Sequence, residues 1–463
     1  MLLSFDALCR AVKGTLTCHF SPYAGFDCVS TDSRTVCQRA LFIPLRGAEQ
    51  DGHQYIEQAL QQGACCVVAD SGFLAAQKNT DRLIELCKQY RAVCIRVENT
   101  LTALQDAAAA YVEQFPHLLT IGVTGSSGKT TTKELLASIF SQKYRTVKNE
   151  GNLNSETGLP LSVFTVTKEH EVSIFELGMN RKGEIAELAA VLKPNIAVIT
   201  NIGTAHIGIL GSKDAIAHEK KEIFSRFDEN SVGFVPDKDE YTAFLQEVPH
   251  GKIFTYSADP DSYTLEGLSG TKIRYKGETI RLPLPGIHNV QNTFAAIAVA
   301  EYCNIPLQSI KAGIEQMHAL FGRSQIIRGP VTYLLDCYNA NPDSMNAGLA
   351  LCANIAVNGK KVYVLASMKE LGSESIEAHR AVCATAFASD ADTLFFFGEE
   401  MCEAATEQSK HSPKMFFCFK EDEADKLRDT LDGLLNRNDF VFLKGSRSLE
   451  LEQFESILQK ERT

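Results

Sequence analysis

The chain has 463 residues, 44% hydrophobic and 22% charged, as is typical of a soluble globular protein with two to four domains. Its 46 basic and 57 acidic residues give a net charge of −11, which argues against a nucleic acid as the main partner. No apolar run approaches the roughly 20 residues that span a bilayer, and Asp6 interrupts the segment where a secretory signal would be apolar. We therefore expect a cytoplasmic protein without membrane insertion.

The first predicted domain covers residues 1–115 and is a small α/β unit. It begins with a predicted helix, MLLSFDALCRAVKGTL, and contains three short apolar runs that predict strands, ALFIPL, ACCVVAD and AVCIRV. The helical pattern HQYIEQALQQG separates the first two, and an Ala-rich helix from Leu104 to Tyr111 leads to a joint at Phe115 and Pro116. The chain has fourteen cysteines but lacks a C-x-x-C pair, so we expect buried free thiols and no zinc site.

The second predicted domain, residues 116–323, opens with LLTIGVTGSSGKTTTKELLASIF, which predicts a strand, a glycine loop and a helix. The candidate ATP-binding residues of the loop are Gly125, Ser126, Ser127, Gly128, Lys129, Thr130 and Thr131. Glycines let backbone N–H groups approach a phosphate, while Lys129 supplies positive charge and Thr130 a hydroxyl for magnesium. The general P-loop motif has a further glycine where Val123 stands, so this compact form indicates particular ATP-using families. The alternative is a strand-turn-helix joint that carries Gly and Lys by chance.

The remainder of the second region alternates strands with helices. The runs VSIFEL, IAVIT and SVGFVP predict buried strands, and GEIAELAAVLK and KDAIAHEKKEIFSRF predict helices between them. This alternation is typical of a parallel sheet. A β-rich hairpin segment with KIFTYS, TKIRYKGE and TIRLPLPG follows, and then a helix from Asn289 to Tyr302.

The third predicted domain, residues 324–463, has five strand candidates separated by helices. They are VTYLLD, KVYVLAS, TLFFFGE, KMFFCF and DFVFLKG. The pattern predicts a second doubly wound, Rossmann-like sheet. The fold class is therefore α/β in three domains, with mostly parallel sheets in the central and C-terminal ones.

Two polar residues follow buried strands of the second region. Glu176 ends VSIFEL, and His206 follows IAVIT. Because ligands of open α/β sheets bind at the carboxyl ends of strands, both residues are candidate metal ligands near Thr130. Read alone, the glutamate is as often a surface or capping group, and the histidine is more often structural.

Three further positions have two interpretations each. Lys220 lies beside Lys221 in AIAHEKKEIF, where composition alone favours a solvated charged face. Asn289 and Asn292 are three residues apart and share a helix face. Their amides could read a base, or could simply cap the helix start, and the residues alone favour neither interpretation.

The motifs of the chain, in this order, resemble those of the Mur ligases of peptidoglycan synthesis. They are TGSSGKTTTKE, NEGNLNSETGLPLS, ELGMNRKGEI, TNIGTAHIGILGS, GIHNVQNTFAA, CYNANPDSM and LKGSRSLELE. YNANPDSM and KGSRS resemble the MurF type most, and TDSRTVCQRALFIPLRGAEQDGHQYI resembles the UDP-binding domain of the MurE and MurF types. The lack of a DNPR-type motif also favours the MurF type.

This resemblance implies an enzyme that joins D-alanyl-D-alanine to UDP-MurNAc-tripeptide with ATP, through an acyl phosphate. It implies an N-terminal UDP-binding domain, a central ATPase domain and a C-terminal Rossmann-like domain, in a monomer. The remaining alternatives are another Mur ligase, a folylpolyglutamate synthase, or a P-loop regulatory or motor NTPase without ligase chemistry.

The resemblance also implies residue roles at the reacting groups. Lys129 and two magnesium ions would offset the repulsion between a carboxylate and a triphosphate. Thr130 and Glu176 would hold the first ion, and His206 would help to hold the second. Lys220 corresponds to the carbamylated lysine of the family, whose added carboxylate-like oxygen suits magnesium.

The other implied roles concern substrate binding. Asn289 and Asn292 would contact adenine, Arg323 the γ-phosphate and Asp336 the ribose; Ser33 and Arg34 would lie near the uridine diphosphate. Two positions depart from the family pattern, since Ser155 follows Asn154 where a second asparagine is expected, and Leu335 and Cys337 flank Asp336 where an acid and a serine are expected.

Overall fold

The computed structural model describes residues 1–47 and 49–461, with the backbone alone at His411. Ala48, Arg462 and Thr463, which belong to the predicted first and third domains, lie outside the described residues. The described chain forms two compact units, one of Met1–Val123, Tyr144–Ala197 and Glu222–Val232, the other of Thr124–Lys143, Val198–Lys221 and the chain from Gly233 on. The boundaries of the three predicted domains stay a prediction.

The N-terminal region is an α/β layer around a five-stranded sheet. The strands of the region are β1 Leu3–Ser4, β2 Thr15–His19, β3 Gly25–Phe26, β4 Cys28–Ser30, β5 Ala40–Phe42, β6 Ala64–Asp70 and β7 Val93–Val97, of which β1 and β3 pair with each other in a separate small sheet. Its helices are α1 Phe5–Ala11, α2 Ile56–Gln62, α3 Ser71–Leu74, α4 Gln77–Tyr90 and α5 Thr100–Val112. The sheet order is β2-β7-β6-β5-β4, with β2 antiparallel and the others parallel. The three predicted strands and the predicted helices at 53–63 and 104–111 are confirmed. The helix predicted for residues 1–16 is helical only over Phe5–Ala11, because Leu3–Ser4 and the chain from Thr15 pair as strands. Every residue of β6 is buried, as a continuous apolar run requires.

A six-stranded sheet carries the glycine loop. Its strands are β8 Leu119–Thr124, β9 Thr146–Lys148, β10 Val172–Glu176, β11 Ile196–Ile199, β12 Val232–Pro236 and β13 Lys252–Tyr256, in the order β13-β12-β11-β8-β10-β9. Its helices are α6 Lys129–Phe140, α7 Gly158–Val163, α8 Glu184–Leu192, α9 Ile207–Leu210, α10 Lys213–Lys221 and α11 Thr242–Gln246. β10 pairs in parallel with both β8 and β9, as predicted for this region.

One strand of the predicted hairpin segment lies elsewhere. KIFTYS is β13, an edge strand of the six-stranded sheet, and is not part of the hairpin. The hairpin belongs to a small antiparallel sheet of β14 Tyr263–Leu265, β15 Thr271–Tyr275 and β16 Glu278–Leu282, followed by helices α12 Ile287–Tyr302 and α13 Leu307–Glu315. The prediction was wrong because an edge strand and a hairpin strand show the same half-buried pattern.

The C-terminal region contains all five predicted strands in a doubly wound sheet. Its strands are β17 Gln325–Ile327, β18 Thr332–Asp336, β19 Lys361–Ala366, β20 Thr393–Phe397, β21 Met415–Phe419 and β22 Phe440–Lys444, and its helices are α14 Pro342–Ala353, α15 Ser375–Ala388, α16 Glu399–Gln408, α17 Ala424–Leu434 and α18 Glu455–Leu458. The order is β17-β18-β22-β19-β20-β21, parallel except for β17. Successive residues such as Tyr333 and Leu334 belong to different apolar clusters, so both faces are covered.

Cys28 and Cys37 are joined as a disulfide, which corrects the prediction of free thiols for these two residues. The chain reverses at the 3₁₀ turn Ser33–Thr35, and the two Cα atoms lie 6.9 Å apart. The other cysteines of the described chain are free, and most of them are buried. Among the described residues, no helix is both long enough and apolar enough to cross a membrane.

Candidate active site around the glycine loop

The loop between β8 and α6 has a backbone that requires glycine at two positions. Gly125 and Gly128 have φ angles of +150° and +81°, in the region that L side chains rarely adopt. A Cβ atom on Gly125 would lie 1.8 Å from Oγ1 of Thr200, and one on Gly128 would lie 2.3 Å from Oδ1 of Asn292. The loop therefore packs closely on Thr200 and Asn292, which leave no room for a side chain at either glycine.

The segment 201–203, which follows β11, fixes the two serines of the loop. The Ser127 N–H donates to Oδ1 of Asn201 at 3.0 Å, and Nδ2 of Asn201 donates back to the Ser127 carbonyl at 3.0 Å. The Gly203 N–H donates to Oγ of Ser126 at 2.8 Å. These bonds fix the conformation of the loop.

Lys129 and Thr130 lie in the first turn of α6. Nζ of Lys129 donates to the Gly125 carbonyl at 2.9 Å, which folds the ammonium back over the loop. Gly128 precedes the helix and has no side chain to cap it. The positive end of the helix dipole, the first-turn N–H groups and the lysine charge together favour an anion here.

His206 follows the same segment and begins α9 with a φ of +65°. Its Nδ1 lies 3.1 Å from Oε2 of Glu370, and the neighbouring imidazole lowers the pKa of the Glu370 carboxyl. This approach is poorly aligned, so Nδ1 has no regular hydrogen bond within the described chain. The Gly208 N–H also donates to the Glu370 carbonyl at 3.1 Å. Sequence reasoning missed Glu370, for which the chain shows no motif signal.

Lys220 is buried on α10, with 1% of its surface exposed. The interpretation from composition, a solvated charged face, is therefore wrong for this residue. Its neighbour Lys221 has a separate structural role. Nζ of Lys221 donates to the Phe244 carbonyl at 2.6 Å and lies 4.0 Å from the centre of the Phe244 ring. The burial distinguishes Lys220 from Lys221, which is only partly buried.

Glu176 lies at the end of β10, in register with Val123, and is only 2% exposed. Nδ2 of Asn154 donates to its Oε1 at 2.7 Å, and its N–H donates to Oδ1 of Asn149 at 2.9 Å. The carboxylate is therefore buried and oriented, which excludes an ordinary surface group. Although Ser155 replaces the expected second asparagine, Asn154 alone makes this contact.

Asn289 and Asn292 lie in the first turns of α12 and are both buried. Nδ2 of Asn289 donates to the Pro285 carbonyl at 2.8 Å, whereas Asn292 packs on Gly128 of the loop. The helix begins after Gly286, so neither asparagine is its N-cap. The structure brings Asn292 to the loop, and the capping interpretation does not hold.

Arg323 and Asp336 lie near the start of the C-terminal sheet. The Arg323 guanidinium stacks 3.9 Å from the centre of the Tyr338 ring. Oδ2 of Asp336 pairs with Nζ of Lys444 at 2.6 Å, and Oδ1 accepts from the Ser324 N–H at 3.0 Å. Burial opposes ionisation of Asp336, but the charge and hydrogen bond of Lys444 outweigh it and lower the pKa of the carboxyl. Sequence reasoning missed Lys444, although it lies in the quoted KGSRS string.

We expect Lys444→Met to reduce the free energy of unfolding by up to about 3 kcal/mol, because it leaves the Asp336 carboxylate, which is only 20% exposed, without its cationic partner. The pKa of Asp336 is lowered in the folded state, so its stabilisation is present above the ordinary pKa of about 4 and lost as pH falls through the lowered value. The deficit of the variant should therefore shrink in acid. Chemical denaturation at several pH values measures both effects.

The matched control is Lys369→Met, because Lys369 pairs with Glu400 at the surface, where each side chain is more than one third exposed. Such pairs contribute little. The double change Lys444→Met with Asp336→Leu should recover most of the loss. A single variant as stable as the control would show that the buried pair is unimportant.

Ser33 and Arg34 lie in the N-terminal region, on the 3₁₀ turn. Oγ of Ser33 donates to Oε1 of Gln58 at 2.9 Å. Arg34 is 81% exposed and donates twice to the Asp32 carboxylate, which lowers the pKa of Asp32 to about 2. The arginine fork is thus solvent-accessible, and the serine hydroxyl is engaged within the domain.

Two residues of the C-terminal region contact the glycine loop or the segment that holds it. Sequence reasoning did not assign a role to either of them. Nδ2 of Asn341 donates to Oγ of Ser127 at 3.3 Å. The Thr204 N–H and hydroxyl both donate to Oδ2 of Asp343, at 2.8 and 2.9 Å. Asn341 and Asp343 both lie in the motif YNANPDSM, which the sequence analysis singled out without predicting what these two side chains contact. The described residues contain no group of three or more His, Cys, Asp or Glu side chains arranged for a metal ion.

Three family models match successive parts of the chain. The Mur ligase family catalytic domain matches residues 26–112, the Mur ligase middle domain residues 123–300, and the Mur ligase glutamate ligase domain residues 322–447. The matches run in the order of the three predicted domains and cover most of the chain.

Individual proteins are similar over their whole length. The UDP-N-acetylmuramoyl-tripeptide–D-alanyl-D-alanine ligase of Treponema pallidum is 50% identical over 100% of both chains. The crystal structure of MurF from Acinetobacter baumannii has a TM-score of 0.87 at 30% identity and covers 99% of each chain. That of MurF from Thermotoga maritima in complex with ADP has a TM-score of 0.79 at 26% identity, covering 94% of this chain and 97% of that one.

Proposed function

This chain belongs to the Mur ligase family, and we propose that it joins D-alanyl-D-alanine to UDP-N-acetylmuramoyl-tripeptide at the expense of ATP. The observation that carries the proposal is the end-to-end 50% identity with a ligase of that name. The glycine loop supports it, because it leads directly into the N-terminus of α6, where the helix dipole and the first-turn N–H groups favour a triphosphate.

The reaction proceeds in two steps. The terminal carboxylate of the tripeptide attacks the γ-phosphorus of ATP, and ADP leaves, which gives an acyl phosphate. The amine of D-alanyl-D-alanine then attacks the acyl carbon; phosphate leaves with the bonding electron pair, and the amine loses a proton. The first step brings two anions together, so Lys129 and the N–H groups of α6 act by stabilising charge on the transferring phosphoryl group.

The substrate contacts follow the family positions. We assign Asn289 and Asn292 to adenine, Arg323 to the γ-phosphate and Asp336 to the ribose. The position of Asn292 against Gly128 supports its assignment. For Asp336, the bonds to Lys444 and Ser324 fix the carboxylate in one orientation, as a sugar-binding acid requires. Ser33 and Arg34 are assigned to the uridine diphosphate, and the exposed Arg34 fork suits a phosphate.

By family position, four residues would hold two magnesium ions, which would neutralise phosphate charge at the transfer point. Thr130 offers a hydroxyl and Glu176 a buried carboxylate that Asn154 orients. His206 offers an imidazole beside Glu370. Lys220 fits as a carbamate, because a buried lysine converted to an anion becomes an oxygen ligand where an ammonium would repel the metal.

A substrate panel tests the assignment. Purified protein, ATP and magnesium are combined with UDP-MurNAc-tripeptides and either D-alanyl-D-alanine or single amino acids, and phosphate release and product mass are measured. We expect phosphate and amide product only with the dipeptide. Phosphate release with a single amino acid instead would indicate another Mur ligase or a folylpolyglutamate synthase, and release without any UDP-sugar peptide would indicate a P-loop NTPase. The cytoplasmic location and monomeric state remain predictions.

A further inference from the structure

We propose that Asp343 is a positioning residue that holds the His206 segment against the glycine loop and thereby couples the C-terminal region to the ATP site. Its effect on catalysis rests on the proposed ligase function, whereas its structural effect does not. Asp343 touches no reacting atom in the proposed mechanism.

The contact is built from two hydrogen bonds to one carboxylate oxygen. The Thr204 N–H and hydroxyl donate to Oδ2 of Asp343 at 2.8 and 2.9 Å. Thr204 stands two residues before His206 and one after Gly203, whose N–H holds Ser126 of the loop. Asp343 therefore fixes the short segment that connects the loop serine to the candidate metal ligand.

The packing is close enough to exclude a methyl group. A Cβ atom on Gly203 would lie 2.5 Å from Oδ2 of Asp343 and 3.3 Å from Cβ of Ser126. Gly203 does not have a positive φ, so glycine is required here because a side chain would clash, and not because of the backbone conformation. Asp343 of α14 and Ser126 of the glycine loop thus both lie against the position that a side chain on Gly203 would occupy.

The local structure at the start of α14 leaves the Asp343 carboxylate free of a capping role. Asn341 and Ser344 form a reciprocal capping box, so the helix start is capped without Asp343. Pro342 occupies the first helical position and stiffens the turn. With capping done by others, the carboxylate is available to Thr204, and Nδ2 of Asn341 adds a bond to Oγ of Ser127 at 3.3 Å.

A second contact of the C-terminal region reaches the same segment. The Gly208 N–H donates to the Glu370 carbonyl, and the Glu370 carboxylate lies beside His206. Helix α14, through Asp343, and the segment after β19, through Glu370, therefore both hold residues 203–208. In the second step the amine must reach an acyl phosphate formed at the glycine loop. These two contacts therefore affect the alignment of the amine with the acyl phosphate more than they affect the binding of ATP.

The first experiment compares Asp343→Ala and Asp343→Asn with wild type in the full-length protein. We expect Asp343→Ala to lower kcat/KM for D-alanyl-D-alanine about tenfold, the scale of one or two charge-assisted hydrogen bonds, with KM for ATP changed less than about twofold. Asp343→Asn keeps an acceptor oxygen and should restore part of the loss. Asp425→Ala removes another first-turn acid, on α17, and serves as the matched control.

Hydrogen exchange of the 201–208 backbone supplies a readout that needs no ligase activity. We expect faster exchange at Thr204 in Asp343→Ala and wild-type rates in Asp425→Ala. If wild type makes no amide product, the proposed function fails, while the exchange result still judges the contact. If wild type is active and Asp343→Ala matches it in both kinetics and exchange, the positioning role is wrong.

A double-mutant cycle with Gly203→Ala tests the geometry. The added methyl should displace the carboxylate, so Gly203→Ala alone should reproduce the kinetic loss of Asp343→Ala. Because Gly203→Ala on an Asp343→Ala background has no carboxylate to displace, its further cost should fall to within about twofold. Fully additive losses would show that the methyl acts through Ser126 and not through Asp343, which would overturn the proposed coupling.

Discussion

Lys129→Ala is expected to lower the rate of amide formation by at least about 10²–10³-fold, the scale for removing one positioned stabiliser of transition-state charge. The structure gives the reason in two parts. The ammonium is folded over the loop by its bond to the Gly125 carbonyl, and it stands at the positive end of α6, where the phosphoryl group is expected. Its removal leaves the tripeptide carboxylate facing the triphosphate with one fixed charge fewer. Phosphate release and product mass under saturating substrates measure the effect.

The matched control for this prediction is Lys143→Ala, an exposed lysine three residues beyond the end of α6. It changes the net charge equally and should keep the wild-type rate. Thermal unfolding of both variants separates a catalytic loss from a folding loss. Near-normal activity of a folded Lys129→Ala enzyme would remove the basis for the phosphate cradle.

Lys220→Ala is expected to abolish most activity and to regain part of it when a short carboxylate such as acetate or formate is added. Alanine leaves a small cavity at a position that is 1% exposed in the native protein. A small carboxylate can enter that space and present the oxygen that the carbamate is proposed to supply. Activity measured against carboxylate concentration should rise and saturate, whereas equal concentrations of chloride should have no effect.

Lys221→Ala distinguishes a specific rescue from a general salt effect. Lys221 bonds to the Phe244 carbonyl, so its loss should alter stability and show no response to carboxylates. A fully active Lys220→Ala enzyme would mean that this buried lysine is structural only. An inactive enzyme that no carboxylate restores would argue against the carbamate.

The regular elements of the chain were predictable where burial and periodicity agree. β6, β10 and the five parallel strands of the C-terminal sheet are short apolar runs between helices, and each was predicted. β9 and β17 are edge strands of three residues, too short to show a pattern. KIFTYS was assigned to the wrong sheet because strand partners are not encoded in the pattern of one strand.

The site was predictable to the extent that it is local in sequence. The glycine loop needs only its own residues, so its outline followed from TGSSGKTT. Lys220 shows the limit, because composition favours a solvated face and only the family resemblance identified it. Asp343 and Glu370 reach the 203–208 segment from the C-terminal region across 139 and 164 positions, as counted from Thr204 and His206 respectively. Their roles depend on topology, which local pattern does not supply.

The place of β22 in its sheet bears on how this protein is made. β22 is the last strand of the described residues, yet it lies in the middle of the sheet, between β18 and β19. A ribosome must therefore synthesise the chain through residue 444 before those two strands find their partner and Asp336 meets Lys444. Until then the nascent chain carries two unpaired strand edges, which invite association with other chains. We therefore expect a truncation that removes residues 440–444 to prevent assembly of this sheet, because β18 and β19 would lose the strand between them.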